Sequence, residues 1–390
     1  MENQSIYNFN LPKTEILLIR LAIVRQRYTP FGGAERFIEE ALKILAQSQG
    51  LALSIYARKW SGQPPNCTAI QCNPFYVGSL WRDFSFIKSV EKHLKTDAPD
   101  LIQSHERIAF CDIFRAGDGV HRKWLQLRLK NANLIQKLSI FLNPTQHFRL
   151  YAEKKMFEST RLKAVICISE MVKNDILEFF PNAKEKLHVI YNAVDCQGFS
   201  PALKNHRQNV LNQRNIPQNA RVFLFVGSGF WRKGLKTAIL ALPENAHLIV
   251  VGKDKKMDFY QRLAQGKNVH FLGAQNDPRP FYGAADVFVL PTLYDPLSNA
   301  VLEALAAGLP VLTTHQCGAG EIVEKFSAGK RFEAEDVFAL QNLMQQMTTQ
   351  NLNELAANAR NAALSLSPDK MQGDLLALYQ NLLNNENPAH

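Results

Sequence analysis

The chain has 390 residues, 46% of them hydrophobic and 21% charged, a length and composition that suit a soluble globular protein of two or three domains. Its longest apolar run, residues 16–24, is broken by Arg20 and falls short of the roughly 20 residues a membrane helix needs. Residues 1–13 lack the basic start and apolar centre of a signal peptide, so a cytoplasmic protein is expected. The six cysteines include no C-x-x-C pair and indicate neither a zinc site nor a disulfide framework, while the formal charge of +10 is concentrated in one place: ten Lys or Arg against two Glu between His121 and Val165, a net of +8.

The amino-terminal half opens with a buried strand over residues 15–24, a Pro30-Phe31-Gly32-Gly33 turn and a helix over 34–46 with Phe37, Ile38, Ala41, Leu42 and Leu45 along one face. A strand, a Gly-Gly turn and a helix begin a Rossmann-like unit, where missing side chains let backbone N–H groups approach an anion; the same pair also serves simple turn geometry. Strands are expected over 52–57 and 101–104, with a helix near 86–94. Next come His105, Glu106, Arg107, Asp112, Arg115, Asp118 and His121, with Gly117 and Gly119 among them. This run of titratable groups suits either a loop-built site or a solvated surface loop.

Residues 122–151 alternate basic side chains with Trp124, Leu125, Leu134, Ile135, Leu138, Ile140, Phe141 and other apolar residues. Such a pattern reads as an element lying on an anionic membrane surface, or as a helix pair with its apolar side packed inward. Nucleic acid would be drawn by the same charge, yet the chain carries no recognised nucleic-acid motif. Two more strands, over 163–169 and 187–191, flank a helix over 170–179, and the polar segment 196–220 reads as an interdomain linker with a short helix.

From Arg221 onward strands (222–227, 247–251, 269–272, 287–290, 310–314) alternate with helices (236–242, 259–265, 279–284, 300–307), the pattern of a parallel sheet with helical crossovers. Residues 334–384 read as helical. The loop Gly227-Ser228-Gly229-Phe230-Trp231-Arg232-Lys233-Gly234 joins free backbone to two cations at a strand's carboxyl end, a combination suited to a diphosphate. Two acids stand out in the strand, helix, strand unit 286–314. Asp295 leaves the first strand, and Glu303 interrupts a helix otherwise too apolar to face water. A carboxylate there is costly to bury alone, so Glu303 either accepts bonds from neighbouring loop backbone or faces a cleft at the strand ends.

Asp295-x7-Glu303, with Asn299 between and Gly308-Leu-Pro-Val after, resembles the Glu-x7-Glu element of retaining GT-B glycosyltransferases of family 4, with Asp in place of the first Glu. The resemblance implies two Rossmann-like domains facing across a cleft: an acceptor-binding domain over 1–196, a nucleotide-sugar domain over 197–366, and a helix over 367–390 returning to the first domain. It implies donor-binding roles for Gly32 and Gly33, for Arg232 and Lys233 on the diphosphate, and for Asn299 and Glu303, the last on the ribose. Asp295 and His105 would meet the donor sugar. The Gly117-Asp118-Gly119 turn and His121 resemble those of the lipopolysaccharide core glucosyltransferase subgroup, which places Asp118 on the acceptor side. Residues 273–276 match the segment that recognises the base, and residues 318–321 match a loop that donor phosphates approach through main-chain amides.

The resemblance thus implies a metal-independent, retaining transfer of a hexose from a UDP-sugar, UDP-glucose first, to a heptose of the lipopolysaccharide inner core. No other cofactor is expected, and no Asp-x-Asp triad occurs in the chain. The implied partners are the nucleotide sugar, a lipid-linked glycan acceptor and an anionic membrane face, which would make the cytoplasmic protein peripheral. The alternatives are a UDP-N-acetylhexosamine transferase for another cell-surface glycan and a catalytically silent GT-B module that binds glycolipid.

Overall fold

The computed structural model describes residues 19–28, 51–60, 67–130 and 132–384. The Gly32–Gly33 turn and the helix expected over 34–46 lie outside these residues. In the first half the strands are β1 (Ile19–Val24), β2 (Arg27–Tyr28), β3 (Leu51–Ala57), β4 (Lys59–Trp60), β5 (Cys67–Gln71), β6 (Leu101–Ser104), β7 (Ile113–Arg115), β8 (Ala164–Cys167) and β9 (Leu187–Val189). The helices are α1 (Gly78–Asp97), α2 (His121–Lys130), α3 (Leu134–Phe141), α4 (Pro144–Phe157) and α5 (Glu170–Phe179). After α6 (Arg207–Gln213) come β10 (Arg221–Val226), α7 (Phe230–Lys233), α8 (Leu235–Ala241), β11 (Ala246–Val251), α9 (Met257–Leu263), β12 (Val269–Gly273) and α10 (Arg279–Ala284). Then follow β13 (Val287–Leu290), α11 (Asn299–Ala306), β14 (Val311–Thr314), α12 (Gly320–Lys325) and β15 (Gly329–Phe332), and the helices α13 (Val337–Gln346), α14 (Thr349–Leu364) and α15 (Pro368–Asn384).

Among the described residues these strands form two large parallel sheets and a small parallel pair, β2-β4. One large sheet has seven strands in the order β5-β3-β1-β6-β7-β8-β9, the other six in the order β12-β11-β10-β13-β14-β15. Both are doubly wound. The order reverses once in each sheet, between β1 and β6 and between β10 and β13, and such reversals open a crevice at the carboxyl ends of the strands. Central strands covered by helices on both faces must be apolar on both, which is why Val287, Phe288, Val289 and Leu290 are all buried. β1 departs from this only at exposed Arg20, which donates to Asp100 at 2.9 Å.

The stretch 105–121 is not wholly loop. Ile113, Phe114 and Arg115 form β7, buried between β6 and β8, and three residues are too few to show a period in sequence. The basic segment divides into three helices for local reasons. Asn133 and Gln136 form a capping box at the start of α3, and Asn143 accepts from the Thr145 amide ahead of α4, with Pro144 at its first turn. At the far end of the chain α15 crosses under the first sheet. Met371, Leu375, Leu378 and Tyr379, spaced on one helical face, pack against Leu21, Ile23, Leu53 and Ile55, and Tyr379 donates to Gln103 Oε1 at 2.8 Å. Arg360 on α14 ties the crossing, donating to the carbonyls of Cys196, Phe199 and Ala306.

Candidate active site

The two strand-order reversals face one another across a single cleft of about 1210 Å3. Each strand end contributes the next few residues. Arg25 follows β1, His105 follows β6, and Gly117 and Asp118 follow β7. From the other sheet, Gly227, Ser228, Arg232 and Lys233 follow β10, Ala274 to Asn276 follow β12, and Tyr294 to Ala300 with Glu303 follow β13. Of the residues singled out in sequence, His105, Asp118, Arg232, Lys233, Asp295, Asn299 and Glu303 therefore meet in one cavity, and Gly32 and Gly33 lie outside the described residues.

The loop after β10 folds as a tight turn into the single-turn helix α7. Gly229 and Gly234 both take positive φ, and a Cβ on Gly234 would run into the Pro291 carbonyl, so glycine lets the turn lie against the end of β13. This contact sets the two cations beside the acid after β13. Lys233 forms an ion pair with Asp295, Arg232 stands 3.9 Å from the same carboxylate, and Arg232 also donates to the Tyr294 carbonyl at 2.9 Å. Burial by itself raises the Asp295 carboxyl, but Lys233, Arg232 and hydrogen bonds outweigh it and hold the group below its ordinary range. Asp295 is thus an anion that fixes the cationic turn. Sequence does not reveal this pairing, because 62 residues separate its members.

Glu303 is half-buried on α11 and accepts from the Tyr282 hydroxyl at 2.7 Å, so its carboxylate is anchored at the cleft wall. The helix begins abruptly. Ser298 has φ 67° and ψ 92°, α11 has no side-chain cap, and the buried Ser298 Oγ has no hydrogen-bond partner among the described residues. A non-glycine residue in such a conformation costs about 1–3 kcal/mol, and strain of this kind gathers at ligand sites. By contrast, the amides of Gly318, Ala319, Gly320 and Glu321 donate to the carbonyls of Asp295, Leu297, Cys317 and Gly318. The donor groups expected of residues 318–321 are engaged inside the protein, and the uncapped first turn of α11 is what faces the cleft instead.

On the opposite wall His105 is buried, and burial first, then Arg25 and Arg115, push its pKa well below the usual imidazole value. It is a neutral hydrogen-bonding group at pH 7. Asp118 is exposed at the end of its glycine turn, 3.6 Å from Arg25. His121 lies at the start of α2, its ring 2.8 Å from Gln146 Oε1, and burial followed by the nearby Arg107 lowers it to about 4. Several members of the site carry no sequence signature. Buried Glu153 on α4 accepts from Arg107 and from the His121 and Arg122 amides, so it caps α2 from another helix. Arg115 donates to Asn192 at 2.7 Å, and Asn192 donates to Asn299 at 2.9 Å, linking the two walls. Tyr294 makes a second link: its hydroxyl donates to Asp175 at 2.9 Å and accepts from the Val120 amide at 3.2 Å, and its ring stacks on Trp124. A Cβ on Gly119, where φ is 68°, would strike that hydroxyl. Glu321 makes a third, accepting from the Glu170 and Met171 amides and from Tyr191 at 2.6 Å.

Among the described residues no group of three or more His, Cys, Asp or Glu converges as metal ligands would. No helix among them is long and apolar enough to cross a membrane. The apolar face of α3 is nonetheless uncovered, with Leu134 83%, Ile135 81% and Phe141 69% exposed. The inward-packed arrangement considered for this segment does not apply to α3.

Known proteins resemble the chain along most of its length. The family model described as Glycosyltransferase Family 4 matches residues 31–197, and that described as Glycosyl transferases group 1 matches residues 206–365. The chain is similar to the lipopolysaccharide glucosyltransferase WaaG of Escherichia coli (strain K12), with 26% identity over 324 residues, 79% of this chain and 84% of that protein. The crystal structure of WaaG superimposes with a TM-score of 0.76 at 24% identity, covering 90% of this chain and 98% of the other. A UDP-Gal:alpha-D-GlcNAc-diphosphoundecaprenol alpha-1,3-galactosyltransferase of Escherichia coli is 27% identical over 322 residues, 74% of this chain and 78% of that protein. HepE of Anabaena, solved in complex with UDP-glucose, shares the fold with a TM-score of 0.67 at 18% identity, covering 93% of this chain and all of the other.

Proposed function

This chain belongs to the GT-B glycosyltransferases of family 4, and from that premise we propose that it transfers glucose from UDP-glucose to a heptose of the lipopolysaccharide inner core, with retention at the anomeric carbon. The observation that carries the reading is the cationic turn of Arg232 and Lys233, set by Asp295 at one strand-order reversal and facing His105 and Asp118 at the other. When the bond from the sugar to the diphosphate breaks, negative charge grows on the departing phosphate. Fixed cations and helix-start amides in a cleft stabilise that charge without reorganising, and here Arg232, Lys233 and the first turn of α11 are the groups in place. Glu303, anchored by Tyr282, is placed to accept from the ribose hydroxyls. Neutral His105 hydrogen-bonds the sugar, and Asp118 stands on the side from which the acceptor hydroxyl approaches. The hydroxyl attacks on the face the phosphate leaves, and its proton passes to the departing phosphate oxygen. In this reading the chain's own cations serve where other transferases use a metal.

Two relatives support the substrate classes by their names, one a lipopolysaccharide glucosyltransferase and the other a transferase from UDP-Gal to a lipid-linked acceptor. The exposed apolar face of α3, flanked by Lys130 and Lys137, supports contact with an anionic membrane, where such an acceptor is anchored. The test has two parts. A panel of nucleotide sugars is screened for a rise in melting temperature, since a ligand of the folded state raises it, and UDP release is then followed with a heptose-terminated core glycolipid. UDP-glucose is expected to stabilise most and to turn over, with an α-linked product by proton NMR. A protein that binds glycolipid vesicles yet releases no UDP from any sugar nucleotide is the silent module instead.

A further inference from the structure

Among the described residues, the amino-terminal wall of the cleft carries more positive charge than the donor needs. Arg232 and Lys233 stand on the opposite wall with the diphosphate turn, so a second set of cations requires a second anion. On the amino-terminal wall Arg25 is matched by Asp118 and Arg107 by Glu153. Arg115 has the neutral Asn192 as hydrogen-bond partner, while Glu106 accepts from the Gln26 amide, and these two charges offset each other over the wall as a whole. What is left is lopsided. Arg82 and Arg149 share the single carboxylate of Asp83, at 2.9 Å and 3.2 Å, and Arg128 has no hydrogen-bond or ion-pair partner among the described residues although it is partly buried and lines the cleft.

Two helices bring these groups together. His121, Trp124 and Arg128 recur at helical spacing on one side of α2, and Gln146, Arg149 and Glu153 do so on α4. The His121–Gln146 contact and the bonds from Glu153 to the first amides of α2 hold those two sides against each other. Trp124 is fixed in turn by Tyr294 and Trp231 of the other half and still lines the cleft, one helical turn from Arg128. A flat aromatic ring beside a guanidinium suits a sugar bearing a negative charge: the ring meets the sugar's C–H face, and the fork of N–H groups meets a phosphate or carboxylate.

We propose that Trp124, Arg128 and Arg149 form an acceptor subsite for a glycan whose sugar next to the accepting hydroxyl carries a phosphate or a carboxylate. The subsite rests on the transferase reading for its placement beside the accepting hydroxyl, but binding there needs neither donor nor turnover. Asp83 leaves one of its two arginines available to such a ligand, and no described residue pairs with Arg128.

The test is equilibrium binding of deacylated inner-core oligosaccharide to the full chain, by calorimetry, with the oligosaccharide intact, dephosphorylated, or carboxyl-reduced. Wild-type protein binds the intact form, and Arg128→Gln and Arg149→Gln each weaken it about tenfold, as loss of one charge-assisted contact does. Arg128→Lys recovers part of the loss, and each variant is checked for an unchanged melting temperature. Loss of wild-type affinity on dephosphorylation assigns the anion as phosphate; loss only on carboxyl reduction assigns it as carboxylate. Equal wild-type affinity for all three forms, or wild-type affinity in both glutamine variants, overturns the proposal. Failure of UDP release would overturn the transferase reading and leave this binding result intact.

Discussion

The two walls of the cleft are built in different ways. The carboxy-terminal wall, from β10 to β14, takes its candidate functional groups from short loops at strand ends. Arg232 and Lys233 come from one turn, Asp295 and Glu303 from one strand, loop, helix unit, and each group is placed by contacts local to the sheet. The amino-terminal wall, from β6 to α4, is assembled from a three-residue strand, three short helices and a buried carboxylate that caps α2 from 31 residues away. A wall set by strand ends can be altered one residue at a time with local consequences. A wall assembled from distant helices transmits each change to its neighbours.

The sharpest test of that contrast is Arg232→Ala. In the proposed reaction it removes one cation at the point where charge develops on the diphosphate, so kcat/KM is expected to fall by about 10²-fold or more while the melting temperature moves little. Near-normal turnover would remove Arg232 from the diphosphate site.

How much of each wall is legible in sequence follows the same division. The parallel pattern of the second half, with β13 and α10 at their observed limits, is visible as apolar strands alternating with helices, because central parallel strands are uniformly hydrophobic. The grouping of Arg232, Lys233 and Glu303 is visible because the strand-end rule brings those loops together, and Asn299 is visible through the family resemblance of the Asp295-x7-Glu303 element. On the other wall β7 is too short to show a period, and Glu153, Asn192 and Tyr294 act across 31, 107 and 174 residues, so nothing local marks them. The strained Ser298 and the engaged amides of residues 318–321 are backbone facts that residue identity does not encode.

Lys233→Met tests the other function of the cationic turn, that of neutralising Asp295. Breaking a buried pair leaves one charge uncompensated, which costs roughly 3–5 kcal/mol. The Asp295 carboxyl sits below its ordinary pKa in the folded protein, so its contribution is full above that ordinary value and is lost as pH falls through the depressed one. Without Lys233, burial dominates and the carboxyl prefers its proton. Calorimetry is therefore expected to find the gap in melting temperature between wild type and variant widest near pH 7 and shrinking below about pH 4. A gap independent of pH would mean the pair contributes packing alone.

Tyr294→Phe probes the seam between the walls. The change keeps the ring on Trp124 but leaves the Val120 amide and the raised-pKa, half-committed Asp175 without the hydroxyl they share. Stability is expected to drop by about 1–3 kcal/mol, read by denaturant unfolding, because a buried polar group loses its partner. An unchanged midpoint would show the seam to be held by the rings.

The smallest effect belongs to the exposed apolar face of α3. Ile135→Ser with Phe141→Ser on α3 removes two largely exposed apolar side chains, of which Phe141 also meets the His147 ring edge-on. Binding to vesicles containing anionic lipid is expected to weaken roughly tenfold in sedimentation, with turnover of a soluble acceptor retained. Undiminished vesicle binding would place the membrane contact elsewhere.

Every role assigned above depends on one crevice shared by two strand-order reversals, and the most direct measurement is a crystal structure of the protein with UDP. The diphosphate is expected at Arg232 and Lys233, with the ribose within hydrogen-bond distance of Glu303 and the base beside residues 274–276. UDP bound at any other place on the molecule would contradict the assignment of the cleft and of every role derived from it.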